Sequence, residues 1–328
     1  MTSMQFSQLE PIALQDIRSF HVSGYAVELT DQPRQQVKVS PNAAPREVDL
    51  NGHYITGQLY AQHFRLVAPK HSVPILFWHG GAMTGVTWET TPDGREGWAN
   101  LFLRAGYDVV VSDAVERGRA SWSPFPQIFP DLPLFRTQED AWSLFRMGPK
   151  GGFDPDPARR KAYSPQRFPL AAYDQLCAQF VPRWTTNTKI TEAAYANLLG
   201  SFEKSVIIAH SQGCWFAQRL AAQHPDRIAA VVLVEPAGAP ELTEAELANA
   251  ATVPHLFLWG DHCADLPAWQ AYRADADARA ADLAPGRGQV EVLDLPKLGI
   301  LGNSHMPMMD NNSTEIAQLV RNWLEEHD

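Results

Sequence analysis

Cysteine is scarce in this chain, with Cys177, Cys214 and Cys263 the only three among 328 residues. An odd, sparse count without a C-x-x-C pair argues against a disulfide framework and against a zinc site, and no metal or organic cofactor is expected. Basic charge is in deficit too: 27 Lys and Arg face 37 Asp and Glu, for a net charge of −10. That balance excludes nucleic acid and anionic membrane surfaces as expected main partners. Long apolar runs are missing, and none approaches the roughly 20 residues that span a bilayer. The opening residues Met1-Thr2-Ser3-Met4-Gln5-Phe6 lack a basic patch followed by an apolar core. No signal peptide is therefore expected, and a cytoplasmic protein with reduced thiols is the plain reading. No internal repeat or low-complexity block stands out. What is present is 45% hydrophobic and 20% charged, the composition of a soluble globular protein. The length suits one large domain or two ordinary ones.

Extended segments are expected at Phe20–Val27 and at Gln58–Val67, the second as an antiparallel strand near a sheet edge. Short apolar runs then follow at Pro74–Trp78, Asp108–Ser112, Ser205–Ile208, Ala229–Val234 and His255–Trp259, with a weaker one at Val290–Leu293. Helical spacing lies between several of them, as at Gly97–Ala105 before Gly106, and an amphipathic helix closes the chain over Glu315–Glu325. Nearly continuous apolar strands alternating with helices predict an α/β protein with a mostly parallel sheet covered on both faces. The rhythm breaks between Ala114 and Leu199, a stretch rich in proline and aromatic residues. We read it as a cap inserted over the carboxyl ends of the strands (114–199), with 1–113 and 200–328 as the core. Ligands of open α/β sheets bind at those ends. Trp122, Trp142 and Phe145 are its candidate substrate-binding residues, although most of its aromatic residues are expected to build the cap's own interior.

The most informative stretch is Ala209-His210-Ser211-Gln212-Gly213, between the apolar Val206-Ile207-Ile208 and an amphipathic segment. A buried strand, a tight turn with serine at its tip and then a helix is the layout of a nucleophile elbow. The usual pattern is G-x-S-x-G, and Ala209 departs from it by one methyl group. A serine hydroxyl needs a base, an acid to orient that base, and donors for the oxyanion. Of eleven histidines, His305 sits in a turn-rich loop between the last strand and the last helix, in the chain order Ser, acid, His. His210 is expected to support the turn instead. Two acids end apolar strands at the active edge: Glu235 before Pro236, and Asp261 after Trp259-Gly260. Oxyanion donors are expected from the backbone N–H of Gln212, at a helix N-terminus, and of Gly81 in the turn His79-Gly80-Gly81.

These motifs together resemble the α/β-hydrolases, and within them the group typified by bacterial esterase 713. The resemblance rests on His79-Gly80-Gly81, Ala209–Gly213, Val234-Glu235-Pro236 and Gly302-Asn303-Ser304-His305, spanning most of the chain. It implies that the triad acid is a glutamate on the strand after the nucleophile helix, hence Glu235, with Asp261 in reserve. The function it implies is a serine esterase that forms an acyl-enzyme on Ser211. An apolar or aromatic small-molecule ester is the expected substrate, and the chain is a possible homo-oligomer. The same triad also serves lactonases, carbamate or amide hydrolases and acyltransferases, and a low-turnover ligand sensor is a further class. Ser211 at the elbow argues against dehalogenase and epoxide-hydrolase chemistry, which needs aspartate there.

Overall fold

The computed structural model describes residues 10–327, so the opening hexapeptide Met1–Phe6 lies outside it. Eight strands form the central sheet: β1 (Leu14–Leu29), β2 (Gly52–Leu66), β3 (Ile75–Trp78), β4 (Val109–Asp113), β5 (Ser205–His210), β6 (Ile228–Val234), β7 (His255–Trp259) and β8 (Val290–Asp294). Their spatial order is β1-β2-β4-β3-β5-β6-β7-β8. β1 and β2 form an antiparallel hairpin, β2 also meets β4 antiparallel, and every pairing from β4 to β8 is parallel. A separate two-stranded ribbon joins Gln35–Val37 to Arg46–Val48.

The burial of the strands explains their sequence. All residues of β3, β4, β5 and β7 are buried, as expected of parallel strands sandwiched between helices. β1 is the edge strand and mostly exposed, and it carries the mixed polar pattern that such a position tolerates. The helix Trp98–Ala105 ends at Gly106, whose φ of 103° takes the left-handed conformation that terminates helices. The helix Ser313–His327 buries Ile316, Ala317, Val320, Trp323 and Leu324 against one face of the sheet. On the other face lie the nucleophile helix Gln212–Gln223 and the helix Pro267–Leu283.

The insertion divides in two by its packing. The helix Thr188–Gly200 packs Tyr195, Leu198 and Leu199 into the same apolar cluster as Trp78, Val110 and Ile207 of the sheet. It therefore covers the sheet like any flanking helix. The residues before it, with the short helices Gln138–Leu144 and Tyr173–Cys177, gather Trp142, Phe145, Phe168 and Tyr173 into the opposite cluster.

Candidate functional site

Ser211 stands between β5 and its helix at φ 52° and ψ −117°, a conformation that costs a non-glycine residue about 1–3 kcal/mol. Its N–H donates to the Val234 carbonyl (3.0 Å), which ties the elbow to the end of the neighbouring strand. Gly213 has to be glycine: a Cβ there would lie 2.8 Å from the His79 carbonyl oxygen and 2.9 Å from that of Trp78. The position two before the serine is more tolerant. Ala209 is fully buried, and its methyl group joins the apolar cluster that contains Trp78 and Cys214.

His305 is buried beside the elbow, and its Nδ1 lies 3.2 Å from Oε2 of Glu235. With the proton on Nδ1, Nε2 is left as an acceptor, the state a general base needs. Three aromatic rings surround the imidazole, with centroids 4.3 Å (Trp269), 4.5 Å (His210) and 5.3 Å (Phe145) away. Burial, then the positive charges of Arg146 and Arg136, hold His305 well below the usual histidine range. It is therefore neutral at neutral pH and able to accept a proton.

Glu235 directly follows β6 at φ 55° and is fully buried. One carboxylate oxygen accepts the Gly260 N–H and the other faces both His305 and Arg146. Asp261 is used differently. Its Oδ1 accepts the His262 N–H (2.8 Å) and its Oδ2 the Gly302 N–H (2.9 Å), so it pins the loop that leads to His305. His210, expected to support the elbow turn, donates from Nε2 to the His305 carbonyl (2.9 Å) and so ties the elbow to the His305 loop. His79 accepts the Ala114 N–H on Nε2 (3.0 Å) and donates from Nδ1 to the Gly80 carbonyl (2.8 Å). Burial lowers it to about 4, which keeps it neutral in that double role. Asp310, in the same loop as His305, accepts from the Ser304 N–H, the Ser304 hydroxyl and Asn303 Nδ2.

Ser211, His305, Gly81 and Gln212 share one cleft, together with Met83, Arg136, Leu144, Phe145, Arg183, His210, Ala237, Trp269 and Tyr272. Its volume is about 120 Å³, comparable with the ~150 Å³ cavity that accommodates benzene. Of the three cap aromatics expected to bind substrate, only Phe145 lines it. Trp142 is fully buried and donates from its indole N–H to the Lys161 carbonyl (3.2 Å), while its ring packs against Phe153 and Tyr173. Trp122 packs on Trp184 and is 39% exposed, away from the cleft. These two rings build the cap, so aromatic density in the insertion does not translate into an aromatic wall.

Arg146 and Arg183 carry no local signal, because nothing in their neighbourhoods separates them from the other arginines. Arg146 is fully buried at φ 57°, with Nη2 2.7 Å from Glu235 and Nε donating to the Asp261 carbonyl (2.7 Å). Its guanidinium also lies over the Trp269 ring, 4.6 Å from the centroid. The cysteines are unpaired, and no cluster of metal-binding side chains occurs among the described residues. No helix among the described residues is long and apolar enough to cross a membrane.

The chain is similar to known proteins along most of its length. The family described as alpha/beta hydrolase fold matches residues 162–258, from within the insertion to the end of β7. A probable secreted lipase of a fungal species (strain ATCC 74256) is 29% identical over 331 residues, covering 84% of this chain and 88% of the relative. A bacterial esterase solved at atomic resolution superposes with a TM-score of 0.83 at 31% identity, covering 98% of this chain and 99% of that one. With that likeness running from end to end, the chain belongs to the α/β-hydrolase family, among its serine ester hydrolases.

Proposed function

We propose that this hydrolase cleaves small-molecule carboxylic esters with Ser211 as nucleophile, His305 as base and Glu235 as the triad acid. One observation carries the reading. Ser211 is strained at the tip of an elbow that opens on the same cleft as His305, and the far nitrogen of His305 faces a buried glutamate. His305 Nε2 takes the hydroxyl proton as Ser211 Oγ attacks the ester carbonyl. Glu235 holds the imidazole by its Nδ1 proton and stabilises the imidazolium that forms. The N–H groups of Gly81 and Gln212 receive the oxyanion. The proton then passes from His305 to the leaving alcohol, and water attacks the acyl-enzyme by the same route in reverse. The small cleft fits a short acyl group, and residues 114–187 serve as its cap, a shorter segment than the 114–199 first expected. With no disulfide in the fold, stability does not depend on the redox state of the compartment.

Short 4-nitrophenyl esters test this. Ser211→Ala and His305→Ala should each lower kcat by about 10⁴-fold or more, and Glu235→Gln by about 10²- to 10⁴-fold. Retention of most activity by Ser211→Ala would overturn the nucleophile.

A further inference from the structure

Every residue in the cleft wall that carries a full charge at neutral pH is an arginine. Arg136 and Arg183 line it, and no carboxylate does, since Glu235 lies behind His305. The same two arginines also line the adjoining outer depression, with Leu134, Phe135, Thr137 and Asp140, so they stand at the mouth of the cleft. This is a local reversal of sign in a chain whose net charge is −10.

Their bonding shows which of them is free. Arg136 gives Nη1 to Asp140 (2.5 Å) and lays its guanidinium over Phe145. Arg183 has no ion-pair or side-chain hydrogen-bond partner among the described residues, and its buried Nε is unpaired. Glu116 is the nearest carboxylate to act on it, but Glu116 is engaged by Arg117 Nε (2.7 Å) and Asn187. Arg117 and Arg136 both repel Arg183, and burial adds to the cost of its charge. A half-buried guanidinium without a counter-ion is costly to keep. The backbone holds it there, because Arg183 and Leu134 exchange two hydrogen bonds of 2.8 and 2.9 Å across a single bridge.

Its position relative to the reacting atoms is equally specific. A side chain at Gly81 would begin 2.9 Å from Arg183 Nη1 and 3.1 Å from the Gln212 side-chain oxygen. Glycine at 81 thus leaves room for the guanidinium beside the turn expected to receive the oxyanion. Ser211 and Arg183 line the same cleft, so the guanidinium borders the space into which an ester held at Ser211 must extend.

We propose that the preferred substrates are anionic, namely esters that carry a free carboxylate a few atoms from the scissile carbonyl, such as monoesters of short dicarboxylic acids. The carboxylate supplies the counter-ion that Arg183 lacks, with Arg136 adding to the field. A planar guanidinium with free donors matches a carboxylate in a forked pair. This deepens the ester-hydrolase reading and rests on it, and it replaces the expected preference for apolar or aromatic esters.

The test compares mono-4-nitrophenyl glutarate with 4-nitrophenyl butyrate, in the wild type and in Arg183→Gln and Arg183→Lys. The wild type should favour the glutarate monoester in kcat/KM, and Arg183→Gln should lower the glutarate-to-butyrate ratio about 10- to 100-fold, as expected for a charge-assisted pair. Arg183→Lys should restore part of the ratio, and added salt should depress it in the wild type. A separate arm titrates free glutarate into Ser211→Ala by calorimetry, with binding expected there and its loss in Ser211→Ala/Arg183→Gln. A wild-type preference for butyrate, or a ratio unchanged by Arg183→Gln, would overturn the proposal and leave the esterase intact. If wild type cleaves neither ester, the esterase reading fails, and glutarate binding by Ser211→Ala still decides the anion site.

Discussion

The turns at the carboxyl edge of the sheet and the cap above them hold their functional groups by different means. Ser211 and Glu235 each follow a strand whose last residues are paired and buried, and each sits at positive φ where that strand ends. Their positions follow from the ladder of the sheet, which nothing in the cap can shift. The cap has no such frame. Phe145 is placed because its carbonyl accepts the His305 N–H (3.0 Å) and because Trp269 donates to the neighbouring Leu144 carbonyl (2.7 Å). Val181 reaches down to the Ala82 carbonyl (3.1 Å), and Arg146 is fixed by its ion pair with Glu235. The cap is thus positioned by the site it covers. The proposed chemistry would then reside in the part framed by the sheet, and the proposed choice of substrate in the part held by contacts alone.

Acid should separate the two regions most strongly. Histidines 79, 210, 255 and 305 are buried in the core and held below the usual range chiefly by burial, His79 and His255 to about 4. Residues 114–187 contain no histidine. Each depressed histidine binds a proton on unfolding, so stability falls as pH drops from about 6.5 toward 4, by up to ~1.4 kcal/mol per pH unit for each. Asp310 runs the other way, because burial raises it to about 7 and its protonation in the folded state adds stability as pH falls through that value. Burial lowers His63 as well, and it raises Glu89 and Glu116 in the same sense as Asp310. Five lowered histidines against three raised acids predict a net loss, measurable as a falling urea midpoint between pH 6.5 and 4. A flat midpoint would contradict the neutral histidines.

Arg146 joins the two regions, so its loss should damage both. Arg146→Gln leaves Glu235 buried and unpaired, at a cost of about 3–5 kcal/mol. It also removes a positive charge from beside His305, so the acid limb of the kcat/KM profile should move to higher pH. Arg146→Lys should move it part of the way back. A stability loss with an unmoved profile would make Arg146 a purely structural residue.

Trp142→Ala tests the cap's interior alone. Removing this fully buried ring should cost about 3–5 kcal/mol, read as a lower unfolding midpoint. Folded protein should keep its kcat on short neutral esters. A large kcat loss without destabilisation would return Trp142 to the cleft wall. The smallest effect is expected far from both regions. Thr243 caps the helix Glu244–Ala250 in a reciprocal box with Glu246, and Thr243→Ala should cost about 1 kcal/mol with catalysis untouched.

Most of the sheet was legible because fully buried parallel strands must be continuous apolar runs, as at Val109–Val111 and Val206–Ile208. The hairpin partner Gly52–Leu66 runs longer than its pattern suggests, since its first residues, where His53 and Ile55 are exposed, show no clean apolar alternation. Ser211, Glu235, Asp261 and His305 stand out as candidates for a related reason: a polar residue that ends an apolar strand or follows a glycine-rich loop needs a purpose. The helix Thr188–Gly200 falls within the break in rhythm from which the cap 114–199 is read, and only its packing shows that it covers the sheet.

The sequence by itself determined the sheet, the strand–turn–helix at Ser211 and the chain order of Ser211, the two candidate acids and His305, because local burial and turn geometry constrain those residues one segment at a time. Only the tertiary structure set Glu235 rather than Asp261 against His305, turned Trp142 and Trp122 away from the cleft, brought Arg183 into its wall and placed Arg146 behind it on Glu235. Those outcomes depend on contacts between residues separated by as many as 159 positions, such as Arg146 and His305, which act on one another through Glu235. An electric field at a site is a sum over whatever the fold brings near, and no local pattern encodes that sum.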